Sequence, residues 1–428
     1  MVHHTISTSS KPAPSASKIT THMSVSISRH LTLPAFSRTA GPVLGTLLLA
    51  SCAQFSTQPA APTEHRPVQA PATSTTTVAP TAPVPVPPPP GTFEKARARW
   101  VPSEFSELTG WGADRPSEVM PALRQSCIKP AEGWARFCDD LRNLKPADDM
   151  VQRFWLESRL RVFRIESPEG DTAGLLTGYY EPLFEATRKP AANRRVPLHA
   201  LPADLASRKP YWTRQQLDSL PAAQASVKGR ELAWLEDPLD ALVLQIQGSG
   251  RLRITEPDGS SRLIRLAFAG HNDQPYKSVG RWLIEQGELK ASEASWPGIK
   301  DWARRNPARI NEMLWQNPRT VFFREEPLPD PSIGPKGAQG VPLTPGRSIA
   351  VDPQSVPYGS LVWVDSTEPL STRPLQRLVV AQDTGSAITG AVRADFFWGW
   401  GDEAESQAGR TRQALRSWVL WPRESAPR

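Results

Sequence analysis

The 428-residue sequence admits about two or three domains and carries 50 Lys and Arg against 43 Asp and Glu, a formal charge of +7. Its 45 prolines, about twice the usual share, crowd residues 59–90, which leaves roughly 330 residues for globular structure, enough for two cores. The seven histidines lie mostly in the N-terminal tail and no Cys/His spacing suits zinc, so neither a metal site nor a cofactor is expected.

Residues 1–52 read as an address. A polar Ser/Thr/His segment with Arg29 and Arg38 precedes an apolar run over 43–50, too short to span a bilayer and suited to a secretory signal. The run ends in Leu49-Ala50-Ser51-Cys52, which is similar to the lipobox of bacterial lipoproteins, so Cys52 is the expected lipidated N-terminus. An ordinary signal with a chance cysteine is the plainer alternative. Met23 as the true start, in place of Met1, would give a signal of ordinary length. Ala53 follows the cysteine where an inner-membrane lipoprotein would carry Asp; by resemblance to lipoprotein sorting this implies the periplasmic side of a Gram-negative outer membrane. Residues 53–92, rich in Pro, Ala and Thr, cannot bury a core and are expected to form a disordered tether reaching on the order of 100 Å.

Cys127 and Cys138 are the remaining thiols. In an exported chain two cysteines usually pair, so one disulfide between helical segments is expected. Residues 94–166 read as helical: Pro116-Ser117-Glu118 opens one helix and Pro146-Ala147-Asp148-Asp149 another. Met150, Phe154, Leu156, Leu160, Val162 and Phe163 give the second an apolar stripe.

Strand texture begins after Asp171, where Leu175, Thr177 and Tyr179 alternate until Gly178-Tyr179-Tyr180-Glu181-Pro182 breaks the strand. Tyr179 and Tyr180 are candidates to line a sugar groove, or one is buried and the other superficial. Residues 184–240 are loop-rich. The stretch 240–255 reads as two strands, with a hairpin turn at Pro257-Asp258-Gly259-Ser260 before a third. On that reading Gln245, Gln247 and Ser249 share a face leading through Gly248, where amides can bond acetamido and hydroxyl groups; a solvated sheet face is the alternative. Residues 270–276, with Asn272 and Tyr276, form a loop before three short helices, and Val321-Phe322-Phe323 is a strand. No glycine-rich phosphate loop occurs, so neither nucleotides nor nucleic acid are expected partners.

From Val341 the texture is β again, with Ser348-Ile349-Ala350-Val351 running into Asp352-Pro353 and a strand over 361–364. In 377–409, the run Leu378-Val379-Val380 delivers Asp383 into a turn containing Gly385. Asp395 then precedes Phe396, Phe397, Trp398, Gly399 and Trp400. Carboxylates beside exposed aromatics suit glycan cleavage, since an acid protonates the glycosidic oxygen while rings such as Trp398 stack on sugars. An Asp before a Gly-rich turn is also an ordinary turn former, and an aromatic cluster is also ordinary core. An apolar strand over 414–421 ends the chain.

Five ordered blocks, GLLTGYYEP (174–182), QIQGSG (245–250), GHNDQPYKSVGRWLIEQG (270–287), GRSIAVDP (346–353) and AQDTGSAITG with ADFFWGWG (381–401), together resemble the MltA family of lytic murein transglycosylases over about residues 95–422. The resemblance implies a mainly β fold with accessory helices. A double-psi β-barrel would use 93–183 with 335–425, and an inserted second β-barrel-like domain over 184–334 would form the other wall of a glycan groove. It implies a C-terminal module named for three aspartates, here Asp352, Asp383 and Asp395, with Asp395 catalytic and Asp383 its supporting acid. The implied reaction cleaves the β-1,4 bond between MurNAc and GlcNAc of peptidoglycan and leaves a 1,6-anhydroMurNAc end. Asp395, kept protonated by an apolar setting, would act as acid and then base, oriented by Asp383 and the 385–388 turn. Peptidoglycan strands would be the substrate, the membrane a partner through the lipid anchor, and cell-wall synthesis or division proteins candidate partners. An inverting peptidoglycan glycosidase with two acids and a water, and a non-catalytic glycan-binding lipoprotein, are the alternatives.

Overall fold

A computed structural model describes residues 88–427. The expected signal, the lipidation of Cys52, the choice between Met1 and Met23, and the tether up to residue 87 lie outside the described residues.

In chain order come β1 (Phe93–Glu94), β2 (Arg99–Ser103), helices α1 (Pro116–Ser126), α2 (Ala135–Asn143) and α3 (Asp149–Arg159), then β3 (Leu160–Glu166) and β4 (Gly174–Glu181). A middle segment supplies β5 (Leu183–Thr187), β6 (Val196–His199), α4 (Arg214–Ser219), α5 (Pro221–Val227), β7 (Glu231–Leu235), α6 (Pro238–Gln247), β8 (Ser249–Thr255) and β9 (Ser261–His271). It ends with α7 (Val279–Glu285), α8 (Trp296–Arg305), α9 (Ile310–Trp315) and β10 (Val321–Pro327). The last part holds β11 (Ser348–Val351), β12 (Leu361–Thr367), β13 (Pro374–Asp383), β14 (Arg393–Trp400), α10 (Asp402–Ala408) and β15 (Arg412–Pro422).

One sheet runs β1-β2-β3-β15-β12-β13-β11-β14-β4, and a further pairing of β15 with β4 closes six of these strands into a barrel. Two barrel pairs are parallel, β11 with β13 and β14 with β4. This is the double-psi barrel, built from both ends of the described chain. A second sheet, β10-β9-β8-β5-β7-β6, is inserted between β4 and β11 and nears closure through a bridge from Ala200 to Phe323. The fold is mainly β with accessory helices. All of β11 and Leu378, Val379, Val380 and Ala381 of β13 are buried. These strands therefore read as unbroken apolar runs, because one face fills the barrel and the other is covered by helices. Arg347 anchors that cover: its guanidinium donates to both carboxylate oxygens of Asp114 (3.0 and 2.8 Å), and Asp114 also accepts from Leu378 N–H.

Cys127, at the end of α1, is bonded to Cys138 of α2, with Cα atoms 5.3 Å apart. Helices and strands alternate more than expected over 94–166, where β1, β2 and β3 flank the helices. Met150 and Phe154 are exposed, and Leu160, Val162 and Phe163 belong to β3, so the expected stripe is not one helical face. Residues 184–240 contain three strands and two helices in place of loops, and His271 ends β9. The Gly178-Tyr179-Tyr180-Glu181 stretch continues β4 as far as Glu181.

The largest departure is at 238–247, expected as a strand and found as helix α6. Asp237 accepts from Leu239 N–H as N-cap, Pro238 takes the first turn, and Gly248 stops the helix with φ 79°. Leu239, Ala241, Leu242, Val243 and Leu244 are all buried, and a helix apolar on every side gives the same unbroken hydrophobic run as a buried strand. Gln245 and Gln247 consequently point to different sides. Gln245 accepts from Arg214 Nη2 (2.7 Å), while Gln247 accepts from the Tyr180 N–H (3.1 Å).

Candidate active site

Register places the acids. Ala350 of β11 lies opposite Asp383 of β13 on one side and opposite Asp395 of β14 on the other. Asp395 in turn lies opposite Thr177 of β4. Asp383, Ala350, Asp395 and Thr177 thus form one row across four strands, and neighbouring strands stand about 4.8 Å apart, so the acids flank a methyl group at roughly 10 Å between Cα atoms. A larger residue than Ala350 would fill the space a ligand needs. Tyr179, two residues beyond Thr177, shares its face.

Hydrogen bonds distinguish the two carboxylates. Asp383 accepts on both oxygens, from Ala338 N–H at Oδ1 (2.9 Å) and from the Tyr179 hydroxyl at Oδ2 (3.1 Å). Asp395 accepts at Oδ1 from the Thr177 hydroxyl (2.5 Å), which itself accepts from Arg393 Nη2 (2.9 Å). Among the hydrogen bonds of the described residues, Oδ2 of Asp395 makes none, so it is the oxygen free to carry a proton into the cleft. Burial raises both pKa values. Asp383 is pushed up to about 6, against the pull of the Thr384 and Ala338 N–H groups and the Tyr179 hydroxyl. Asp395 is raised by burial against the Thr177 hydrogen bond and the charge of Arg393. Tyr179 is raised by burial and by both carboxylates, so its hydroxyl stays a donor. The acids titrate as a pair: the two filled acceptor oxygens of Asp383 favour its anion, while burial and the nearby Asp395 charge oppose it.

Both acids face a cavity of about 320 Å³ between the barrel and the insert. The barrel contributes Thr177, Tyr179, Tyr180, Ala350, Asp383, Gly385, Ile388 and Asp395; the insert contributes Gln247, Tyr276, Ser278, Ser295, Trp296 and Ile299. Of the residues expected to bind substrate, Tyr179, Tyr180, Gln247, Tyr276 and Gly385 line it. Gln245, Gly248, Ser249, Asn272, Asp352 and Trp398 are not in its lining, for reasons that geometry supplies. Asn272 is fully buried, donating to the Trp212 and Pro318 carbonyls and accepting from Thr320 N–H. Asp352 is a brace: it accepts from Arg97, Gln354 N–H and Gly390 N–H, tying the connection between Asp383 and Asp395 to the end of β11. Trp398 packs its ring on Phe396 (4.9 Å) and donates from Nε1 to Thr411. Gly178 makes room for it, since a Cβ there would lie 2.6 Å from Trp398 Nε1. Phe396 and Phe397 are wholly buried, so the aromatics after Asp395 are mostly core. The aromatic rings that line the cavity are those of Tyr179, Tyr180, Tyr276 and Trp296. Among the described residues, no group of three His, Cys, Asp or Glu stands close enough to hold a metal.

Two family models match: the MltA specific insert domain over residues 175–324 and the 3D domain over 347–421. Membrane-bound lytic murein transglycosylase A of Vibrio cholerae is 32% identical over 293 residues, covering 64% of this chain and 75% of the relative. The chain belongs to the MltA family. Two solved structures agree with that membership. The lytic transglycosylase LtgG of Burkholderia pseudomallei is 43% identical, with 77% of this chain and 97% of that one covered and a TM-score of 0.54. Escherichia coli MltA with bound chitohexaose is 26% identical, covering 78% and 94%, with a TM-score of 0.59.

Within this MltA-family site, four contributors were not singled out by the sequence: Thr177 and Ala350, which lie inside quoted blocks, and Arg393 and Trp296, which lie outside them. Thr177 and Ala350 were legible only as strand residues, and their part follows from pairing across the barrel. Trp296 stands just beyond the 270–287 block, and the fold of the insert brings it to the cleft.

Proposed function

We propose that Asp395 carries the reaction of a peptidoglycan lytic transglycosylase, first as acid and then as base. The activity itself goes with family membership: the enzyme cleaves the β-1,4 bond between MurNAc and GlcNAc and leaves 1,6-anhydroMurNAc ends. The observation that carries the assignment is the hydrogen-bond asymmetry of the two acids in one row, with Asp383 filled on both oxygens and Asp395 Oδ2 unengaged.

The proton on Asp395 passes to the glycosidic oxygen as the bond from that oxygen to C1 of MurNAc breaks. Positive charge develops at C1, and the anion of Asp383, which lines the same cavity, opposes it. The Asp395 carboxylate then takes the proton of the C6 hydroxyl on the same MurNAc, whose oxygen bonds to C1. The acid is regenerated, no water is consumed, and one residue serves both steps. Tyr179, Tyr276 and Trp296 offer ring faces to the sugars, and Gln247 an amide. Cleavage takes place away from a membrane anchor: Leu49-Ala50-Ser51-Cys52, with Ala53 after it, supports lipidation and placement on the periplasmic side of the outer membrane.

Digestion of purified sacculi, with the released muropeptides weighed by mass spectrometry, tests this reading. Products one water lighter than hydrolytic fragments support it. Reducing ends would make the protein an inverting hydrolase, and binding without release a glycan-binding lipoprotein.

A further inference from the structure

The Glu181-Pro182 end of the GYYEP block has no part in the chemistry, yet Glu181 is wholly buried. Its carboxylate receives Arg251 Nε (2.8 Å) from β8 and Arg265 Nε (2.5 Å) and Nη2 (3.2 Å) from β9. Both guanidinium groups are themselves buried. The excess positive charge is met by carbonyls and a ring. Arg251 donates to the Pro331 and Ile333 carbonyls, Arg265 donates to Ile333, and Arg251 stacks over the Trp400 ring at 4.0 Å.

These groups come from every segment that joins the two sheets. Glu181 ends β4, the strand of Thr177 and Tyr179, and pairs in register with Trp400, which ends β14, the strand of Asp395. Arg251 and Arg265 belong to the insert, and 331–333 lies on the return path to the barrel. Two lighter contacts cross the same junction: Arg251 N–H donates to the Pro182 carbonyl (2.7 Å) and Tyr180 N–H to Gln247 (3.1 Å).

We propose that Glu181, with Arg251 and Arg265, is a positioning residue that fixes the insert wall of the glycan cleft against the strands carrying Asp395 and Thr177. The proposal rests on the cleft being the glycan site. It explains why a buried ionic cluster stands at a junction where apolar packing would have been cheaper: charged groups with directed hydrogen bonds set one orientation, whereas an apolar contact tolerates sliding. The reacting set, Asp395, Thr177, Tyr179 and Asp383, lies entirely on the barrel, so losing the clamp weakens grip on the glycan more than it slows the bond-breaking step.

The test is Glu181→Gln in the full chain, with Arg265→Lys as a milder variant that keeps the Arg251 pair if the first fails to fold. For Glu181→Gln, KM for soluble glycan chains rises about five- to tenfold with kcat within about twofold, and Arg265→Lys moves KM the same way by less. Hydrogen exchange, which needs no activity, gives the second readout: the junction amides of Tyr180 and Arg251 exchange at least about tenfold faster, while the barrel amide of Val380 does not change. Two results overturn the proposal. One is an unchanged KM with unchanged junction exchange; the other is equal acceleration at Tyr180, Arg251 and Val380, which is loss of global stability alone. Absence of any glycan cleavage by the unaltered enzyme would instead sink the functional reading, and the exchange data would still decide the clamp.

Discussion

Thr177 donates to Asp395 across the parallel pairing of β4 with β14, at 2.5 Å, and so decides which carboxylate oxygen remains to hold a proton. The Thr177 hydroxyl is itself oriented by Arg393, which leaves it no freedom to point elsewhere.

Thr177→Val keeps the shape and removes the donor. That hydrogen bond favours the charged form of Asp395, so its loss raises the pKa further. The acid must be protonated to act, so the alkaline limb of the kcat/KM profile moves upward. Its plateau falls about 10- to 100-fold because Asp395 loses the hydroxyl that orients it. A pH–rate series on the variant checks both.

Asp383 has its folded pKa raised to about 6, chiefly by burial. An acid raised on folding binds more protons in the folded state than in the unfolded one between its two pKa values, so it costs stability as pH rises from about 4 to about 6 and keeps costing it above. Asp383→Asn removes that cost. The variant is expected to match the parent in thermal unfolding near pH 4 and to exceed it by roughly 1–3 kcal/mol at pH 7. Denaturant melts at the two pH values measure the difference.

Asp352 tests whether the third aspartate of the module is chemical or structural. It braces Gly390 N–H, Gln354 N–H and Arg97 and stands outside the cavity lining. Asp352→Ala should cost about 1–2 kcal/mol of stability, since it removes three part-buried hydrogen bonds, while KM for glycan changes by less than about twofold. A large KM increase at full stability would return Asp352 to the binding surface.

How far the sequence could be read depended on where each residue's role was decided. Asp383 and Asp395 were legible because a β-branched run, a glycine turn and an aromatic block mark them along the chain. Thr177 was legible only as one of three alternating residues, because its partner is 218 positions away and nothing local points to β14. Gln245 and Gln247 were misplaced because the run before Gly248 is apolar on every side, and only Asp237-Pro238 and Gly248 betray a helix. Asn272 and Asp352 carry polar side chains that satisfy backbone groups brought together by the fold, and a sequence cannot show which backbone groups those will be. The short strands β6 and β7 lacked the length that makes alternation recognisable.

The most direct measurement compares Asp395→Asn with Asp383→Asn in release of 1,6-anhydro muropeptides from sacculi. Loss of release on the order of 10³-fold in Asp395→Asn, with a drop of only about 10- to 100-fold in Asp383→Asn, is the result this account predicts. Retained release in Asp395→Asn, with abolition in Asp383→Asn, would contradict it and move the proton to Asp383.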